Sequence, residues 1–233
     1  MPADALAETA RRYRSCPRFA RHYVASKLRR DPVHRDVLAL AAAAPGGLGD
    51  VVDLGCGRGQ VGVALLAAGL ARSVVGVDRS GPALGDARRA AAGLAFEARE
   101  ADLAGALDIP ACDTVLLIDV LYQLGTDPAL RLLRAAGRAA RKRVLVRTLD
   151  PARGWRSQVT RGLERAARGW WPHAGRRVEP LPVPALLDAL REAGFEASAV
   201  PCWAGTPFAN VLVAAERPET QSGSQDAWDK RLA

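Results

Sequence analysis

The run Asp53-Leu54-Gly55-Cys56-Gly57-Arg58-Gly59 sets an acid two positions before the first of three alternating glycines. Glycines at a strand-to-helix turn let the backbone approach a ligand closely and adopt conformations that a side chain forbids. Two chemistries compete for such a turn. A dinucleotide fingerprint reads GxGxxG, and its backbone meets a pyrophosphate; here Gln60 stands where the third glycine of that fingerprint falls. A carboxylate at Asp53 repels a pyrophosphate and attracts an ammonium or sulfonium group. The turn therefore favours a ligand that carries positive charge. Two more acids follow apolar runs, Asp78 after Val74-Val75-Gly76-Val77 and Asp119 after Thr114-Val115-Leu116-Leu117-Ile118, and a third, Asp102, stands after Glu100-Ala101. A carboxylate at a strand end accepts two hydroxyl hydrogen bonds, as it does in ribose sites.

These residues need strands to carry them and helices to back the strands. From Asp50 to about Arg147 short apolar runs alternate with helical spacing. Strands are expected at 51–54, 73–77, 95–99, 114–118 and 144–146. A helix is expected from Gln60 to Ala71, a second capped by Ser80 with Pro82 in its first turn, and a third capped by Thr126 or Asp127 with Pro128 behind it. Such alternation implies a parallel sheet covered on both faces. After the fifth strand, 155–171 is a basic amphipathic stretch, 184–193 reads as a helix closed by Gly194, and 195–201 and 210–215 are candidate final strands. The stretch 217–233 is polar, lacks periodicity and reads as a flexible tail.

Composition narrows the setting. An apolar share of 49% in 233 residues excludes a wholly disordered chain and permits one sizeable core. No apolar stretch is long enough to span a bilayer, and the N-terminus lacks the apolar run of a secretion signal. Cys16, Cys56, Cys112 and Cys202 form no CxxC pair, so no metal site is expected and the thiols suit a reducing compartment. The expectation is a soluble cytoplasmic protein. The formal charge of +8 is concentrated in two segments. Residues 11–35 hold nine basic side chains against one acid, Asp31, and residues 151–177 hold seven arginines against one glutamate.

The ordered segments together resemble the class I S-adenosylmethionine-dependent methyltransferases. Asp53 to Gly59 looks like the first motif of that family, and 74–78 like the strand whose final acid holds the ribose. Glu100-Ala101-Asp102-Leu103 resembles the segment that receives the adenine, and 113–122 the fourth strand, which passes beneath the methionine moiety. The resemblance covers roughly 45–216. It implies S-adenosylmethionine as cofactor, held by Asp53, Gly55, Cys56, Gly57, Asp78, Arg79, Asp102, Leu103 and Asp119. It also implies a doubly wound, Rossmann-like, mostly parallel seven-stranded sheet with helices on both faces and an antiparallel last strand. The chain then divides into a basic helical lid segment (1–45), a methyltransferase domain (46–216, with a basic insertion at 151–180) and the tail (217–233).

Methyl transfer from a sulfonium is a direct displacement in which positioning supplies much of the catalysis. An alcohol or amine acceptor also needs a proton acceptor nearby. Tyr122 and His22 are the first candidates, with His34, His173 and Asp150 behind them; Tyr23, Arg147 and Trp203 are expected to cover the acceptor. The Asn/Asp-Pro-Pro-Tyr/Phe segment of DNA and protein amide methyltransferases is replaced by Asp119-Val120-Leu121-Tyr122, and the three lysines do not suit a lysine-based tetrad. A small-molecule acceptor is the expectation. The two basic segments favour an anionic one, or one presented by an acidic carrier protein. The stretches 17–23, 27–32, 147–151 and 202–208 are similar to methyltransferases of bacterial aryl-polyene and xanthomonadin-type pigment pathways, which implies a phenolic or carrier-bound aromatic acceptor. The alternative is an RNA or other nucleic-acid methyltransferase or binder that uses the basic segments, against which stands the lack of a stacking platform beside the arginines. A peripheral membrane contact through 159–171, as for a lipid or quinone acceptor, stays open.

Overall fold

Side chains alternate between the faces of a strand, and here the apolar ones occupy both faces. Val51, Leu116, Leu145 and Leu212 join one buried cluster. Val52, Val115, Leu117, Val144, Val146 and Val213 join another on the opposite side. A sheet apolar on both sides must be covered on both, and it is. In a computed structural model, which describes residues 2–105, 107–152 and 180–218, strands β1 (Asp50–Leu54), β2 (Ser73–Asp78), β3 (Phe96–Glu100), β4 (Cys112–Ile118), β5 (Ala140–Leu149), β6 (Glu196–Pro201) and β7 (Asn210–Glu216) form one sheet. Its order is β3-β2-β1-β4-β5-β7-β6. Strand β7 runs antiparallel to both of its neighbours, and the other pairings are parallel. The doubly wound fold read from the sequence is the fold observed.

Three helices precede the sheet: α1 (Pro2–Arg12), α2 (Arg18–Arg30) and α3 (Val33–Ala43). Ala20, Val24 and Leu28 recur at helical spacing, as do Val33, Val37 and Ala41, and all are buried in the first cluster with Val61, Val63 and Leu65 of α4 (Gln60–Ala67). Helix α5 (Gly81–Ala90) packs beside α4. Helices α6 (Thr126–Ala139) and α7 (Val183–Glu192) cover the other face through Leu132, Leu133, Leu186 and Leu190. The N-terminal segment therefore shares one continuous core with the sheet.

Some boundaries differ from the sequence reading, each for a local reason. Helix α4 ends at Ala67 because Gly69, at φ +67°, closes it: the Leu70 N–H reaches the Leu65 carbonyl and the Gly69 N–H the Leu66 carbonyl. Helix α6 is preceded by Gly125, and neither Thr126 nor Asp127 caps it. Strand β5 extends well beyond its apolar centre, because Arg143 pairs with Glu216 across the antiparallel ladder and Arg141 with Asp113. The basic stretch 155–171, His173 and nearly all of 217–233 lie outside the described residues. Among the described residues, no helix is long and apolar enough to cross a membrane. All four cysteines are buried and none forms a disulfide.

Candidate functional site

The strand order reverses between β1 and β4, and in open α/β sheets ligands bind beyond the strand ends at that point. A cavity of about 680 Å³ lies there, within the ~300–1,000 Å³ range of small-molecule sites. Its floor is the glycine turn. Gly55, Gly57 and Gly59 have φ of +77°, +56° and +74°. A Cβ on Gly55 would fall 2.1 Å from Val120 Cγ2, whereas one on Gly57 would meet nothing within 4 Å. Gly55 is thus fixed by contact and backbone, and Gly57 by backbone alone.

Acids surround this floor. Asp53 is 2% exposed and pairs with no cation among the described residues. Burial, and then the charge of Asp78, push its carboxyl up to about 7. Asp78 accepts from the Gly57 N–H at 2.8 Å and from the Ser80 N–H at 2.9 Å. Each of its oxygens keeps a second lone pair for a hydroxyl. Asp102 is exposed at the rim and accepts from the Ala104 N–H at 3.0 Å. Leu103 is buried beside it. Asp119 has φ 61°, the one positive φ outside glycine among the described residues. Such strain persists where surroundings hold it, and here the Asp119 N–H bonds the Arg147 carbonyl while its carboxylate pairs with the Arg147 guanidinium.

The remaining wall comes from α2 and α3. Phe19, Tyr23, Lys27 and Asp31, four residues apart, line the cavity along one stripe of α2 and its end, with His34 beyond them. The opposite stripe, Arg18, Arg21, His22 and Arg29, is exposed. The fully buried Tyr13 ties this wall to the floor, donating from its hydroxyl to the Arg58 carbonyl at 2.6 Å. The Arg58 guanidinium pairs with buried Asp86 and lies 5.3 Å from the Phe19 ring centroid. Deeper in, Arg147, 4% exposed, bridges Asp119 and Asp31, with 3.0 Å to the latter. Lys27 Nζ lies 3.1 Å from the same Asp31. Burial opposes the charge on Asp31, but Arg147 and Lys27 outweigh it and hold the carboxyl below its usual range. For Asp119 burial wins, and its carboxyl is raised.

All nine residues expected to hold the cofactor (Asp53, Gly55, Cys56, Gly57, Asp78, Arg79, Asp102, Leu103, Asp119) line this one cavity, with Tyr23 and Tyr122. His22 does not: one position before Tyr23 turns it about 100° around the helix, to solvent. Asp150 is buried outside the lining and accepts from the Ala152 N–H. Arg147 acts from behind the lining through Asp31 and Asp119. Trp203 sits in the β6–β7 connection, where its carbonyl accepts from the Thr206 N–H and hydroxyl, and is outside the lining. The contributions of Lys27, Asp31 and Arg58 escaped the sequence reading. For Arg58 the signal was present, since it sits inside the glycine motif; for Asp31 it was the lone acid in a basic segment.

Residues 51–143 match the family model described as a methyltransferase domain. No curated protein matches the sequence. Similar solved structures include magnesium protoporphyrin IX methyltransferase from Synechocystis PCC 6803 with bound SAH, 22% identical over 80% of this chain and 84% of that one, at a TM-score of 0.60. The N-methyltransferase NodS from Bradyrhizobium japonicum WM9, in complex with S-adenosyl-l-homocysteine, is 16% identical over 80% and 86%, at 0.59. An O-methyltransferase family protein from Burkholderia thailandensis is 20% identical over 88% of this chain and 63% of that one, at 0.60. At these identities the likeness carries the fold and leaves the acceptor open.

Proposed function

We propose that this S-adenosylmethionine-dependent methyltransferase delivers its methyl group to a small-molecule acceptor that enters the cavity beside α2. The observation that carries the reading is the convergence of the glycine turn, Asp53, Asp78 and Asp102 on one cavity that reaches on to Tyr23, Tyr122 and His34. The residues fit the cofactor. Asp53, buried without a cation among the described residues, suits its ammonium group; Asp78 suits the ribose hydroxyls; Asp102 and Leu103 suit the adenine. When bound, the cofactor supplies an activated methyl group and a neutral leaving group. The chain's own residues bind, orient and exclude water. Asp119, locked by Arg147, sets the far side of the cavity.

Calorimetric titration of S-adenosylhomocysteine and NADH into the wild type and Asp78→Ala tests this reading. Hydrogen bonds to a charged group are worth about 1.5–3 kcal/mol, so the variant is expected to bind S-adenosylhomocysteine roughly ten- to a hundredfold more weakly, and NADH is expected not to bind. Tight NADH binding, or none of S-adenosylhomocysteine by the folded wild type, would defeat the proposal.

The charge around the cavity refines the acceptor. Five of its lining residues are aspartates (Asp31, Asp53, Asp78, Asp102, Asp119) against Lys27, Arg58 and Arg79. With Asp31 and Asp119 answered by Lys27 and Arg147, Asp53 and Asp78 leave the interior suited to a cationic cofactor, and outside it the exposed stripe of α2 is basic. An anionic portion of the acceptor, or an acidic carrier protein, belongs at that stripe, while the reacting group goes inside. Reversing Arg18 and Arg21 together to Glu is expected to raise KM for an anionic or carrier-bound acceptor about tenfold at low salt, and to leave KM for a neutral acceptor unchanged. Equal KM for both acceptors in the variant and the parent rejects the docking stripe.

A further inference from the structure

His34 is the second residue of α3, 3% exposed, and lines the cavity. Its Nδ1 lies 3.3 Å from the Asp31 carbonyl oxygen. A carbonyl only accepts, so Nδ1 carries the hydrogen in that contact. The neutral ring then has its lone pair on Nε2, and this atom is buried with no hydrogen-bond partner among the described residues. Buried polar atoms are nearly always satisfied, and one left orphaned beside a cavity calls for a partner. The partner must donate.

The neighbours decide which donor. Asp31 and Asp119 are already neutralised by Lys27 and Arg147, so an ammonium group gains nothing from them and meets two cations. A carboxylate acceptor brings lone pairs against the Nε2 lone pair. A hydroxyl offers a proton, and it must lose one to become an ether. Phe19 and Tyr23, with ring centroids 6.0 Å apart, add aromatic surface to the same cavity. Given the methyl transfer proposed above, on which this rests, we propose that His34 is the proton acceptor of the reaction and that the substrate class is an acidic hydroxyl, a phenol or an enol. The acceptor oxygen bonds the methyl carbon as the carbon–sulfur bond breaks and its electron pair stays on sulfur. The hydroxyl proton passes to Nε2, and the imidazolium then returns it to solvent. Burial first of all holds the ring neutral, pushing its pKa down to about 4. The Phe19 and Tyr23 rings favour a phenol or enol over an alkanol.

Nitrogen-15 NMR of the three histidines in the full-length protein, saturated with S-adenosylhomocysteine, tests the first half. An unprotonated Nε2 and protonated Nδ1 at His34 are expected; the opposite tautomer overturns the assignment. Labelled methyl transfer from S-adenosylmethionine to a panel of catechols, benzoates and phenethylamines tests the second. Methylation of the catechol oxygen is expected. Transfer to the amines or carboxylates, or to no catechol, overturns the acceptor class. General bases contribute roughly 10²–10⁴-fold, so His34→Gln is expected to lower kcat about a hundredfold or more, with unchanged S-adenosylhomocysteine affinity showing that it folds. A kcat within threefold of the parent overturns the role. Absence of S-adenosylhomocysteine binding in the wild type would instead be a failure of the cofactor reading, visible before any acceptor is added.

Discussion

Arg147→Met loses about 3–5 kcal/mol of folding stability, the usual cost of stripping one partner from a buried ion pair. The side chain is 4% exposed and answers two carboxylates, Asp31 at 10% and Asp119 at 25% exposure. Methionine preserves much of the volume, so the loss reports charge more than a cavity. Among the described residues the two aspartates are left facing one another with Lys27, which forms its ion pair with Asp31 and not with Asp119. The damage spreads because Asp31 also accepts from the Val33 N–H at 3.3 Å, at the corner between α2 and α3, and Asp119 holds its left-handed turn at the end of β4. Urea melts at pH 7.5 read the loss. Adding Asp31→Asn and Asp119→Asn to Arg147→Met removes the orphaned charges and is expected to restore at least half of it. A single variant within 1 kcal/mol of the parent, or a triple variant no better than the single, shows that the three charges do not act as one buried unit.

That network also marks where sequence reasoning stops. Asp53, Gly55, Gly57 and Asp78 are legible because each sits at the end of a short apolar run, and the chemistry of the turn is contained in seven consecutive residues. The order of strands follows from the alternation of apolar runs and helices. Arg147 and Asp31 are 116 positions apart, and no local pattern links them. Arg147 drew notice by its place at the end of β5, but its task, neutralising two acids, follows only from α2 lying across the strand ends. The histidines make the same point. His22 and His34 both look available in a list of residues, yet α2 turns the first outward and α3 buries the second against the cavity. Helical phase, together with the packing of Val24, Leu28 and Val37 into the core, separates them.

Asp53 is expected to make cofactor affinity depend on pH in a range, around neutrality, where an ordinary surface carboxylate is already fully ionised. In the free protein its carboxyl is pushed up to about 7, first by burial and then by Asp78, so at pH 6 it is mostly protonated. A bound ammonium group favours the ionised form, so binding below pH 7 expels a proton. The affinity for S-adenosylhomocysteine, which has the ammonium group and lacks the sulfonium, is therefore expected to rise about tenfold from pH 6 to pH 8 and to level off above that. Calorimetry at pH 6 in buffers of different ionisation enthalpy is expected to show the released proton directly. Asp53→Asn removes the titration: its affinity is expected to be flat from pH 6 to 8, and at pH 8 to be weaker by about 2–5 kcal/mol, the cost of truncating one side of a buried charge pair. Stability moves the other way. A folded-state value raised above the unfolded one means that the free protein loses stability as pH rises from about 4 to 7, because the unfolded chain releases the proton first. The free Asn variant is thus expected to melt above the parent at pH 8 while binding the ligand far less. If the variant keeps the parent's pH-dependent affinity, Asp53 does not meet the ammonium group, and the acid before the glycines serves the turn alone.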